Sequence, residues 1–184
     1  MINFKTIIRI IGILLLLETV MLLACSAISY YYNDEALLDF WKSAGITAGA
    51  GLLMAIAGKG GEKQLTRRDG YVLVSLAWVA FSLFGMLPFY ISGYVPDITN
   101  AFFETMSGFT STGATVLDNI ESLPHGLLFW RGMTQWIGGL GIIMFTIAVL
   151  PIFGVSGLQV FAAEASGPTH DKVHPRIGIT AKWI

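Results

Sequence analysis

The sequence is poor in charge. Asp, Glu, Lys and Arg together make up 12% of 184 residues, about half of what a soluble domain carries. Cys25 is the sole cysteine, which excludes a disulfide framework and any cysteine-based zinc site. Between Asp69 and Arg131 there is neither a lysine nor an arginine, and the net charge of −1 offers nothing to a nucleic acid. An ordinary soluble enzyme, a disordered chain and a nucleic-acid-binding arm are all excluded on these grounds.

What is present is apolar. Hydrophobic residues account for 54% of the chain, and the mean hydropathy is +0.68. Four stretches are long enough to span a bilayer: Ile7–Tyr32, Phe40–Gly58, Tyr71–Gly93 and Leu127–Phe153. The first is too long for a cleavable signal peptide, and no small-residue cleavage site follows it cleanly. An all-α membrane protein of about four transmembrane helices is expected. Lys5 and Arg9 precede the first stretch, Lys59, Lys63, Arg67 and Arg68 lie between the second and third, and Lys172, Arg176 and Lys182 follow the fourth. These nine residues share one side if the N-terminus is cytoplasmic. Asp34, Glu35, Asp39, Asp97, Glu104, Asp118 and Glu121 then fall on the other. Trp41, Trp130, Tyr30–Tyr32, Tyr90 and Tyr94, near the ends of the stretches, read as interfacial belt residues.

The segment Tyr94–Gly126 is longer than a hairpin needs. Asn100–Phe109, NAFFETMSGF, is apolar enough to enter a membrane and too short to cross it. Asp97 or Thr99 is placed to cap it. Thr110–Val116, TSTGATV, follows, and then the polar run Leu117–Pro124. The order suggests a re-entrant pore helix and filter loop. Irregular backbone persists at membrane depth only where protein covers it or it lines a watery cavity. Carbonyl and hydroxyl oxygens of such a loop can replace a cation's hydration shell. A helix and turn packed on the outer surface is the alternative. The potassium-channel TVGYG run is absent.

Phe102–Val116, FFETMSGFTSTGATV, resembles the first pore loop of the Trk/Ktr/HKT superfamily of potassium transporters, its TrkH-type members in particular. Ser122–Pro151, the Lys59–Gly70 loop ending in LTRRDGY, and the tail with GVSGLQVFAAEASGP and HPRIGITAKWI resemble the same proteins. The resemblance covers essentially the whole chain. It implies residues 1–69 as a leading two-helix hairpin with its cytoplasmic loop, 70–153 as the first helix–pore loop–helix repeat, and 154–184 as a linker and the truncated start of the next. It also implies potassium uptake across a bacterial inner membrane, with a cytoplasmic N-terminus. Thr110, Ser111, Thr112 and Gly113 would be the filter oxygens for potassium, which is the transported ion and not a cofactor. A homodimer and a TrkA-like nucleotide-binding regulatory subunit would be the partners. A four-fold filter needs four such loops, so the chain is expected to be the N-terminal fragment of a longer one. A small tetrameric cation channel is the alternative.

Four other features have competing explanations. Glu18 lies inside the first stretch, either as a coupling or proton site or as a structural carboxyl that is protonated or hydrogen-bonded to a neighbouring helix. Arg131 and Gln135 share a helix face and either pin the loop, through Glu104 or carbonyls near Phe109, or leave Arg131 snorkelling to the surface. Gly45 and Gly49, and Gly138, Gly139 and Gly141, read as close helix packing. His170 and His174 flank Asp171 in metal-like spacing, equally open to a regulatory contact. A membrane enzyme lacks the Ser–His or Asp–Asp pair it would need at depth, and a non-catalytic scaffold would leave Thr110–Gly113 unexplained.

Overall fold

The structure, a computed structural model, describes residues 3–60 and 67–149. His170, His174, the tail from 154 and Lys63 lie outside the described residues. The chain divides into two compact units, residues 1–136 and 137–184, and everything that concerns the loop lies in the first.

Every regular element among the described residues is helical: α1 Phe4–Tyr32, α2 Leu37–Ala57, α3 Arg67–Gly85, α4 Leu87–Ile91, α5 Ile98–Phe109 and α6 His125–Val149, with a 3₁₀ turn at Ile120–Ser122. Three stretches among these residues are long and apolar enough to cross a membrane: Phe4–Tyr32, Leu37–Ala57 and Arg68–Ile91. The fourth expected span folds as α6, and its last residues, 150–153, lie outside the described residues.

α1 buries Ile7, Ile11, Leu15, Glu18, Leu22, Cys25 and Ser29, a seam in steps of three and four. Ile7, Ile11 and Leu15 pack against Ala50 and Met54 of α2 and Val72, Leu73, Ala80 and Phe84 of α3. The α1–α2 contact is close because small residues meet there. A side chain at Gly12 would lie 2.5 Å from the Ala55 nitrogen, and one at Gly58 2.5 Å from the Lys5 carbonyl. Among the described residues nothing lies within 4 Å of a side chain built at Gly45 or Gly49. That corrects the packing expected of this pair: both face outward, and Gly12, Gly51 and Gly58 form the close approach instead. Asn33 turns the chain between α1 and α2 in a left-handed conformation, φ 53°, which asparagine tolerates better than most residues.

The third expected span is broken. α3 stops at Gly85 and α4 begins at Leu87, with Pro88 in its first turn. Proline has no N–H and its ring crowds the carbonyl four residues earlier, so the α3 ladder cannot pass through it. The break leaves the Gly85 carbonyl free to accept a bond from Trp130 Nε1 at 2.8 Å. Trp130 is wholly enclosed, so it is not a belt residue; Trp41 and Tyr30–Tyr32 are exposed. At the start of α6, Asp34 accepts from the Gly126 N–H at 2.9 Å, and the His125 ring stacks on Tyr32 with centroids 4.1 Å apart. The hairpin thereby holds the helix that carries Trp130 and Arg131.

The candidate ion-binding loop

The short helix expected at Asn100–Phe109 is α5, begun two residues earlier. Asp97, not Thr99, caps it, accepting from the Asn100 N–H at 2.8 Å. Its buried face carries Ala101, Glu104, Thr105, Ser107, Gly108 and Phe109. Phe109 sits among Phe81, Trp78 and Trp130, at ring distances of 5.4, 6.4 and 6.3 Å. Gly108 faces Thr134 of α6 with no room for a side chain, and Ser82 Oγ donates to Met106 Sδ at 3.0 Å. Between α3 and α6, the end of α5 is held on both sides.

The chain leaves α5 through a Schellman turn. The Ser111 N–H reaches the Gly108 carbonyl at 2.8 Å and the Thr112 N–H reaches Ser107 at 3.0 Å, which are the two bonds that define the motif. Glycine normally occupies the left-handed position after the cap. Here Ser111 does, with φ 56°. Gly113 follows in a left-handed conformation of its own, φ 73°, and its N–H also turns back to the Ser107 carbonyl at 3.3 Å. The donors of Thr110–Gly113 are thus consumed by the helix they leave. Among the described residues nothing donates to the carbonyls of Thr110, Ser111 or Thr112. Thr110 Oγ1 donates to Met106 O at 2.8 Å and lies 2.9 Å from Thr112 Oγ1. Ser111 through Val116 are exposed.

The rest of the loop hangs on one ion pair. Arg131 Nε donates to Glu104 Oε1 at 2.7 Å, and Arg131 Nη2 donates to the Gly113 carbonyl at 3.3 Å. Glu104 Oε2 accepts from Thr115 Oγ1 at 2.8 Å and from the Val116 N–H at 3.1 Å. Ser107 Oγ donates to the Ala114 carbonyl at 2.6 Å. Of the two explanations for Arg131, pinning is the one the geometry supports, through Glu104 and through Gly113 in place of the carbonyls near Phe109. Gln135 contributes its backbone carbonyl, which accepts from Ser111 Oγ at 3.2 Å. Thr110, Ser111, Thr112 and Gly113 are together in one turn. The roles of Thr115, Ser107 and Trp130 had no counterpart in the sequence reading. Thr115 and Ser107 were visible as hydroxyls beside the loop, but their partners depend on how the loop folds.

Of the two structural readings of Glu18, the bond to a neighbouring helix is not made among the described residues. Neither of its oxygens has a partner among the described residues. It lies at the end of α3, near α5: a side chain built at Gly85 would meet Glu18 Oε1 at 2.8 Å and Thr105 Cγ2 at 2.9 Å.

The carbonyl end of α5 thus meets a loop whose Thr110, Ser111 and Thr112 carbonyls have no donor among the described residues. The TrkH profile, described as a cation transport protein, matches residues 40–184. The chain belongs to the TrkH family. This is a family of transport proteins, which removes the membrane-enzyme alternative. The Trk system potassium uptake protein TrkH of Escherichia coli is 40% identical over 185 residues, covering 99% of this chain and 38% of that protein. The TrkH of Halomonas elongata is 38% identical over 184 residues, with the same two coverages. The crystal structure of the potassium transporter TrkH from Vibrio parahaemolyticus matches with a TM-score of 0.81 at 35% identity, over 99% of this chain and 36% of that one. The chain thus spans 38% of the length of the two TrkH sequences.

Proposed function

We propose that this chain contributes the leading hairpin, 1–69, and the first helix–pore loop–helix repeat, 70–153, of a potassium uptake protein of the Trk system in a bacterial inner membrane. In this reading α5 is a re-entrant pore helix, entered from outside, and the N-terminus is cytoplasmic. Thr110, Ser111, Thr112 and Gly113 supply one quarter of a ring of potassium ligands. The remaining quarters come from sequence beyond the 38% of the relatives' length that this chain spans. The whole assembly is a homodimer gated by a TrkA-like nucleotide-binding subunit.

One observation carries the reading: the N–H groups of Thr110–Gly113 turn back into α5, so the loop offers unopposed oxygens beside the helix's negative end. A potassium ion gives up water only to oxygens that replace it without closing onto it. Backbone carbonyls on a loop pinned from behind satisfy that demand better than flexible side chains. Gly113 binds Arg131 through one lone pair and keeps the second for the ion.

The test is Gly113→Asp in the full-length transporter. Aspartate at a left-handed position strains the turn and adds a charge beside the ion, so the preference for potassium over sodium uptake should collapse while the protein still reaches the membrane. An unchanged preference would refute the assignment.

A further inference from the structure

Glu104 and Arg131 do more than fasten the loop mechanically. The Glu104 side chain has no exposed surface and that of Arg131 is 16% exposed, so water screens their charges poorly. Arg131 places a full positive charge against the Gly113 carbonyl, 3.3 Å from Nη2. A cation held by the oxygens of Thr110–Gly113 must bind beside that charge. Left alone, the guanidinium would repel it, the more strongly the less water screens the two charges. Glu104 offsets the repulsion from the other side of the same guanidinium, with its Oε1 2.7 Å from Nε. Its second oxygen meanwhile fixes the departing leg of the loop at Thr115 and Val116.

We infer that Glu104 and Arg131 act as a paired positioning device that sets the loop's affinity for potassium: Arg131 fixes the Gly113 carbonyl and Glu104 cancels the charge this introduces. The inference rests on the assignment of Thr110–Gly113 as the ion-binding loop. It predicts an asymmetry that a purely structural pair would not give. Losing only the carboxylate charge leaves an uncompensated cation next to the ion, whereas losing both charges restores neutrality.

The experiment measures potassium-dependent uptake by the full-length transporter carrying Glu104→Gln, Arg131→Gln or both, with membrane levels of each protein determined in parallel. Glu104→Gln should raise the KM for potassium about tenfold, the size expected of one uncompensated, partly screened charge. The double variant should have a lower KM than Glu104→Gln despite having lost more bonds. Equal KM values in the two, or a fall in protein level and maximal rate with KM unmoved, would overturn the inference. If Glu104→Gln does not reach the membrane, Glu104→Asp and Arg131→Lys replace it. Both keep the charges, so both should change KM less than Arg131→Gln does, and a larger change in either would overturn the inference. Gly113→Asp separates the two levels of argument. If it leaves selectivity and KM intact, the loop assignment fails. If it abolishes selectivity while Glu104→Gln leaves KM unchanged, the loop assignment stands and the paired device does not.

Discussion

Gly108 shows how little room the loop's support leaves. A side chain at Gly108 would overlap Thr134 Oγ1 and come 3.0 Å from Thr134 Cβ. Gly108→Ala should therefore destabilise the protein by about 1–3 kcal/mol, as overpacking in close-packed interiors does. Thermal unfolding in detergent should register the loss, and pairing the change with Thr134→Ala should recover part of it. Glu18 predicts the opposite sign. Its oxygens are buried and without partners among the described residues, and removing an unsatisfied polar group in favour of an apolar one of similar volume is neutral or stabilising. Glu18→Met should leave the melting temperature unchanged or higher. A drop of several degrees would show that the carboxyl makes bonds in the membrane that stabilise the fold. The close approach at Gly108 could not be read from the sequence, because it depends on which face of α6 meets α5. Gly45 and Gly49 illustrate the same limit. Their spacing promises a packed face, yet the packing glycines are Gly12, Gly51 and Gly58, whose separations form no motif. Arg131 was legible, because an arginine and a glutamate in an apolar setting need each other wherever the chain brings them within reach.

At the scale of elements, α5 is placed by its neighbours rather than by its own propensity. α5 has 12 residues, a length at which an isolated helix is marginal in water. Its cap was readable from Asp97, and its length from the apolar run that ends at Phe109. The break between α3 and α4 was not anticipated, although Pro88 was in plain view. Hydropathy averages over a window and takes no account of a missing N–H. The break matters because the Gly85 carbonyl it frees is the acceptor for Trp130, a pairing across 45 residues that no local pattern encodes. Trp130→Phe keeps most of the ring contact with Phe109 and deletes that bond. It should cost about 1–3 kcal/mol, the penalty for a buried acceptor left unsatisfied, again measured by thermal unfolding. A cost near zero would mean that the Gly85 carbonyl finds another donor. The Schellman turn at Ser111 was hidden for a related reason. The motif is read from a glycine after the helix, and here a serine occupies that position while the glycine comes two residues later.

For the whole molecule, composition alone identified a membrane protein, and the family followed from runs that carry its resemblance. In the proposed function one loop supplies a quarter of a four-fold filter. The 184-residue chain alone should therefore fail to restore growth at low potassium to a bacterium lacking potassium uptake systems, while the longest natural reading frame that contains it should succeed. Rescue by the short chain would mean that several copies build the pore. The central claim is that potassium binds the oxygens of Thr110, Ser111, Thr112 and Gly113. Rubidium is a close potassium mimic with a strong anomalous signal, so a crystal of the full-length transporter grown in rubidium tests the claim directly. The account predicts an anomalous peak at coordination distance from the carbonyls of this loop. Rubidium peaks confined to other parts of the pore, with none against Thr110–Gly113, would contradict it.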